Sequence, residues 1–245
     1  MHPRLSQPFR TYRGKIAYIG DANAERGPIE RGREFFTVTV QPSGERTINA
    51  RCEIDDSGVV RDVVYSVDSQ WAPVDAFIRL NVRGRFMGSG WFRFSHTMAE
   101  CETFMAEGGR VSQRMWRRTG DEGENATTFG AHPVACDVWH LGQYAPDTMI
   151  SGQALAHTAF MSSLLPNGAS GPMLSTLTYG IDYLGPEELT VPAGTFPTHH
   201  FRYVFSNGHP DEHVWYTSED LILVRIRWDL LKTTYELVEL ERSNG

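Results

Sequence analysis

No stretch of this sequence approaches the roughly 18–20 uninterrupted apolar residues of a membrane-spanning helix, and its first ten residues, MHPRLSQPFR, lack the apolar run of a secretory leader. These absences lead us to expect a cytoplasmic protein with no membrane partner. Cysteine is scarce as well. Cys52, Cys101 and Cys136 are odd in number and form no CxxC pair, which fits a reducing compartment better than a disulfide framework. Lysine is scarcer still, only Lys15 and Lys232, and no basic cluster is denser than 114–118. With a formal net charge of −7, a phosphate-tracking surface is not expected, so nucleic acid is excluded as a partner. Also missing are a GxGxxG turn opening a helix, GxxxxGK followed by Ser or Thr, GxSxG and HExxH. Nicotinamide, P-loop nucleotide, α/β-hydrolase and zincin chemistries lose their main support, and no cofactor is expected.

What is present is ordinary globular material, 40% hydrophobic and 22% charged over 245 residues, enough for a sizeable core in one large domain. The dominant pattern has a period of two. In REFFTVTV, Phe36, Val38 and Val40 alternate with Thr37 and Thr39; in TINARCEI, Ile48, Ala50, Cys52 and Ile54 alternate with polar neighbours. The Asp55-Asp56-Ser57-Gly58 turn leads into VVRDVVYSV, and AFIRLNVRGRF continues the rhythm into glycines Gly84, Gly88 and Gly90, where a sheet would bend. From 174 onward, LSTLTYGIDYLG, HVWYT, LILVRIRW and TTYELVEL repeat it. About a dozen strands joined by short turns, rather than by long amphipathic helices, predict an all-β antiparallel fold. We expect a β-barrel or strongly curled sheet, calycin-like or lipocalin-like, with at most one or two short helices. A single domain would span 1–245, with an irregular or helical insertion at about 119–172.

The tail carries a resemblance. The run YLGPEELTVPAGTFPTHHFRYVF, with Gly185, Glu188, Val191, Pro192, Ala193, Gly194 and Phe196 at the matching positions, resembles bacterial families of unknown function of the DUF3108 type. It covers about a quarter of the chain. The resemblance implies a strand, turn and strand of a curved antiparallel half-barrel, and it implies no reaction.

Chemistry is sought among residues a curled sheet would turn inward. In ACDVWHLGQY, 135–144, a helical reading places Asp137 and His140 one turn apart on a shared face, with Asp137 as the orienting group. A strand reading separates them. Such a pair can do acid–base work near neutral pH, with Trp139 and Tyr144 as aromatic walls; alternatively, His140 is a locally bonded structural histidine. Strand phase puts His96 with Phe92, Phe94 and Met98, and His199 with Phe201, Tyr203 and Phe205, on apolar faces. Each such histidine needs a hydrogen-bonding partner or a function. Nothing in the spacing of His96, His140, His199 and Asp137 demands a metal, and none is assigned.

These elements favour a cofactor-independent lyase or isomerase that moves a proton on a hydrophobic or aromatic small molecule, by hydration, dehydration or double-bond migration. His140 and Asp137 would act together, with His96, His199 and Tyr203 as further proton-transfer or polarising groups. Trp139, Tyr144, Phe94, Phe201 and Trp228 would bind the substrate. The alternative is a carrier for a lipid, terpenoid or aromatic compound. A homo-oligomer is left open.

Overall fold

The alternation seen in the sequence becomes fifteen strands among the residues described by the computed structural model, which are 9–23, 27–117, 126–206 and 208–243. The first eight are β1 (Arg10–Asn23), β2 (Gly27–Val40), β3 (Arg46–Ile54), β4 (Val59–Val67), β5 (Pro73–Val82), β6 (Arg85–Phe94), β7 (Met98–Met105) and β8 (Gly109–Trp116). The other seven are β9 (Ala126–Gly130), β10 (Leu155–Met161), β11 (Ser175–Val191), β12 (Gly194–Val204), β13 (Glu212–Tyr216), β14 (Leu223–Trp228) and β15 (Thr233–Ser243). All belong to one sheet, ordered β8-β7-β6-β5-β4-β3-β2-β1-β15-β14-β13-β12-β11-β10-β9. Neighbours are antiparallel except β9 and β10. Two meanders thus meet where β1 pairs β15, the first and last strands lying side by side in mid-sheet. Much of the loop read from 119 lies outside the described residues.

Alternation decides what faces inward. On β2, Glu34, Phe36, Val38 and Val40 are buried, and on β3, Ile48, Ala50 and Cys52. Short turns hold the register: Arg83 and Gly84, with φ of 51° and 72°, form the two-residue hairpin between β5 and β6 that the right-handed twist of strands favours. Gly90 has a different role. A Cβ there would sit 2.4 Å from Thr103 of the neighbouring strand, so a side chain would force β6 and β7 apart.

The sheet is strongly curled but not closed, since β8 and β9 form its two edges. It rolls past closure instead. Phe129 of β9 packs against Tyr65 of β4 and against Phe92 and Phe94 of β6, and Phe160 of β10 also reaches Phe94. One end of the sheet therefore lies inside the curl, face-on to β4–β6, which shields the edge that β9 would otherwise present. The stretch read as an irregular or helical insertion contributes β9 and β10 to the sheet and carries helical and irregular chain between and after them.

Parallel neighbours require a crossover, and the chain between β9 and β10 runs through the interior. Its main element is a 3₁₀ helix, Val134–Gln143, long for this geometry. No side chain of its own caps its N-terminus. The cap comes from β2: Glu34, fully buried, accepts hydrogen bonds from the backbone N–H of Val134 at 2.9 Å and of Ala135 at 3.0 Å. The same carboxylate accepts from the Tyr18 hydroxyl and the Cys52 thiol. At the other end, Gly142 lies against Trp71, whose ring a Cβ would meet at 2.1 Å.

Removing the Glu34 carboxylate strands buried donors, each worth about 1–3 kcal/mol when left unsatisfied. Glu34→Ala is expected to lower stability by about 3 kcal/mol in urea titration, and Glu34→Gln, which keeps one acceptor oxygen, by less.

Candidate functional site

The 3₁₀ helix forms one wall of an interior cavity of about 250 Å³. Three residues per turn stack positions i and i+3, so Asp137 and His140 share a face, and both line the cavity. Opposite them stand Tyr179 on β11, Tyr203 on β12, Glu212 on β13 and Trp228 on β14. The mouth is edged by Leu164, Leu165 and Pro166, whose leucines are exposed. This lip belongs to the glycine-rich connector before β11. It is held down by Arg61 of β4, fully buried, which donates to the carbonyls of Ala131 and Gly168 and to the Ser162 hydroxyl.

His140 is not oriented by Asp137. Its Nδ1 lies 2.6 Å from the Thr128 hydroxyl, which also lies 2.7 Å from His157 Nε2, and His157 Nδ1 meets the Tyr144 hydroxyl at 2.9 Å. A continuous chain, Tyr144–His157–Thr128–His140, thus fixes the ring from behind. Because a hydroxyl donates one proton, the direction of the whole chain sets whether His140 Nε2 presents a donor or an acceptor to the cavity. Burial pushes His140 and His132 down to about 3, and His157 down to about 4. All three imidazoles are neutral at neutral pH. His132, at φ 73°, takes the left-handed backbone that turns the chain into Pro133 and the helix.

The carboxyls behave in the opposite sense. Burial, without any partner, pushes Glu212 up to about 8. Asp137 keeps partial access through the cavity it lines, yet burial first, and then the neighbouring Glu212, hold it well above the usual carboxylate range. Two acids in one apolar cavity resist simultaneous ionisation, so they titrate as a pair. Tyr203 donates its hydroxyl to the backbone carbonyl of Asp137 at 2.8 Å, tying β12 to the helix. The Tyr179 hydroxyl is buried and makes no hydrogen bond.

The sequence-predicted residues divide sharply. Asp137, His140, Tyr203 and Trp228 meet at the cavity, and Tyr144 supports it through His157. His96 does not: β6 ends at Phe94, Ser95 closes a tight turn by accepting from the Met98 N–H, and His96 is exposed on that turn rather than on an apolar strand face. His199 lies away from the cavity with both nitrogens engaged, Nδ1 with the Tyr183 hydroxyl and Nε2 with Ser218. Phe94 packs among Phe129 and Phe160. Phe201 stacks on Tyr216, and Trp139 fills the core against Tyr65 and Trp71. The set His96, His140, His199 and Asp137 is therefore not gathered, and no cluster of three or more His, Cys, Asp or Glu side chains among the described residues could hold a metal ion. Glu212, Tyr179, Thr128, His157, Glu34 and Arg61 were missed by sequence reasoning. Phase carried the signal for three of them: Glu34 is in phase with Phe36, Arg61 with Val63 and Glu212 with Val214, each a charge on a buried strand face.

These pKa directions set a stability profile. Glu212 is raised from 4.5 to about 8, so the stabilisation from its neutral form is complete below 4.5 and is lost as pH rises through 8. His140 is lowered from 6.5 to about 3, so its contribution is present above 6.5 and is lost as pH falls toward 3. The midpoint of thermal unfolding is expected to decline on both sides of a maximum where the two windows overlap, between pH 4.5 and 6.5. Glu212→Gln should flatten the alkaline decline alone, as read by differential scanning calorimetry across pH.

Among solved structures, the chain is similar to a beta-barrel-like protein of the domain of unknown function DUF1849 from Brucella abortus, at 13% identity over 97% of this chain and 98% of that one, with a TM-score of 0.56. It is also similar to a DUF1089 family protein from Pseudomonas aeruginosa, at 10% identity over 82% of this chain and 91% of that one, with a TM-score of 0.43. No family model matches the sequence, and no curated protein matches it. The Brucella likeness is one of fold: the chain is all-β and beta-barrel-like.

Proposed function

We propose that the protein is a cofactor-independent lyase or isomerase, moving a proton on a small hydrophobic or aromatic molecule held in the interior cavity. The observation that carries this reading is the meeting of two unpartnered carboxyls, Asp137 and Glu212, with His140, Tyr179 and Tyr203 in one apolar space. A pair that holds one proton offers an acid and a base together. One carboxyl gives a proton to the substrate while the other takes one from carbon, so the pair ends a double-bond migration with the proton count it began with. In a dehydration the donated proton leaves with hydroxide as water. His140, neutral throughout, orients or polarises, and the unsatisfied Tyr179 hydroxyl is a ready donor to a developing negative charge. Trp228, Phe205 and Leu177 supply apolar wall. His96 and His199 have no part in this scheme.

A second reading, a non-catalytic carrier for a lipid, terpenoid or aromatic compound, draws support from exposed Leu164 and Leu165 at the mouth, where an apolar ligand would first touch. The tail motif supports a finer kinship with DUF3108-type proteins. The three free, buried cysteines support a reducing compartment such as the cytoplasm, and no helix among the described residues is long and apolar enough to cross a membrane. The exposed row Val64, Phe77 and Trp91, adjacent across β4–β6, supports self-association.

Turnover is tested by incubating the protein in deuterium oxide with a panel of small aromatic and alicyclic carbon acids and alcohols, reading C–H exchange and loss of water by proton NMR. We expect exchange with at least one compound, a rate that declines above about pH 8 as the Glu212 acid ionises, and a loss of about 100-fold or more in Asp137→Asn and Glu212→Gln. Tight binding without exchange across the panel would favour the carrier.

A further inference from the structure

We infer that the cavity is built for an organic cation, a small amine or quaternary ammonium compound with an apolar body. The inference deepens the proposed acid–base reading by naming the substrate class of the same site, and it rests on that reading for the choice of cavity.

The argument begins with how this protein treats its other buried acids. Glu34 receives two backbone N–H groups, a hydroxyl and a thiol. Asp182 receives Arg202 and the Gly152 N–H. Asp220 receives Arg10, Arg46 and Tyr12. Among the described residues, the acids on the interior left with neither hydrogen bond nor ion pair are Glu212, 9% exposed, and the half-buried Asp137, and both open on the cavity. Burying a carboxyl without a partner is costly, and the cost is incurred where a ligand can reach.

No lysine or arginine lines the cavity. Two guanidiniums stand behind the lining, and both are committed elsewhere: Arg61 to Ala131, Gly168 and Ser162, and Arg31 to the Leu231 carbonyl, Thr233 and Asp56. A carboxylate, phosphate or sulfate ligand would find two acids and no counter-charge. The lining offers instead the rings of Tyr179, Tyr203, Tyr235, Phe205 and Trp228, whose negative faces attract ammonium groups. The Tyr179 hydroxyl, buried and unpartnered, leaves a further oxygen for an N–H donor. A carboxyl pair holding one proton carries a single negative charge, which matches one monocation and still leaves one acid and one base. The volume, about 250 Å³, is below the roughly 300–1,000 Å³ of drug-sized pockets, so the ligand is small.

Cation binding is then linked to proton release. The titratable groups facing the pair are Tyr179, Tyr203 and Tyr235 from β11, β12 and β15, and His132, His140 and His209. Behind the helix stand Arg61 and Glu34. Burial holds the three tyrosines neutral and leaves His132 and His140 uncharged. The carboxyl pair is thus expected to dominate the pH dependence, and His209→Gln should preserve it.

The test uses matched probes: benzyltrimethylammonium, its neutral isostere neopentylbenzene, and phenylmethanesulfonate, titrated against the full chain with Trp fluorescence and calorimetry. We expect the cation to bind at least about tenfold tighter than the isostere, the sulfonate not to bind, and cation affinity to rise as pH increases below the titration of the pair. In Asp137→Asn/Glu212→Gln the cation preference should vanish while neopentylbenzene still binds, which also shows that the variant is folded. Should that variant fail to fold, each single variant is read in the same way. Equal affinity for the cation and its isostere, pH-independent cation binding, or no cation binding overturns the inference. Cation binding without C–H exchange would keep the ligand class and remove turnover; exchange on neutral compounds with no cation preference would do the reverse.

Discussion

A buried carboxylate from one strand, Glu34, holds the N-terminus of the ten-residue 3₁₀ helix threaded through the curl, and the arrangement of the interior depends on that contact. A 3₁₀ helix inside a protein brings backbone N–H groups that water cannot reach. Pro133 supplies no side-chain cap, so the donors of Val134 and Ala135 must be met from elsewhere, and Glu34 meets both. Once the helix start is fixed on β2, three residues per turn carry Asp137 and His140 to one face. Tyr203 then fastens that face to β12 by its bond to the Asp137 carbonyl. The helix is the filling that lets a fifteen-stranded sheet roll without closing.

Charge is handled inside this roll in two ways. Glu34, Asp182 and Asp220 are surrounded by donors and are structural. Arg61, the buried counterpart, is lowered to about 10 by burial, and it spends its donors on carbonyls and a hydroxyl that tie down the lip of the cavity. Asp137 and Glu212 are left to an apolar environment and to each other. The same desolvation drives carboxyls toward their neutral form and imidazoles toward theirs, so the coupled carboxyl pair holds on to a proton beside unprotonated imidazoles.

Much of the sheet was legible because a strand with one buried face must alternate. REFFTVTV, TINARCEI and VVRDVVYSV became β2, β3 and β4 in adjacent register. The site was legible only in part. Asp137 and His140 could be paired on a helical reading, and Tyr203 and Trp228 sit at the cavity as expected of inward aromatics. The expectation for His96 failed because alternation is informative only while a strand lasts, and Ser95 ends β6 just before it. The orienting role given to Asp137 failed because Thr128 and His157, twelve and seventeen positions from His140, are brought to it by the parallel pairing of β9 and β10, which no local pattern encodes.

By itself, the sequence determined the class of fold, the phase of strands with one buried face such as β2, β3 and β4, and the presence of charges on buried faces, since all three follow from neighbours two residues apart. The open roll, the capping of the helix by a residue a hundred positions away, and the meeting of Asp137 with Glu212 were decided only by tertiary structure. Each depends on which strands become neighbours across the curl, a question of long-range packing and of where unmatched charge can be left, and no short window of residues contains the answer.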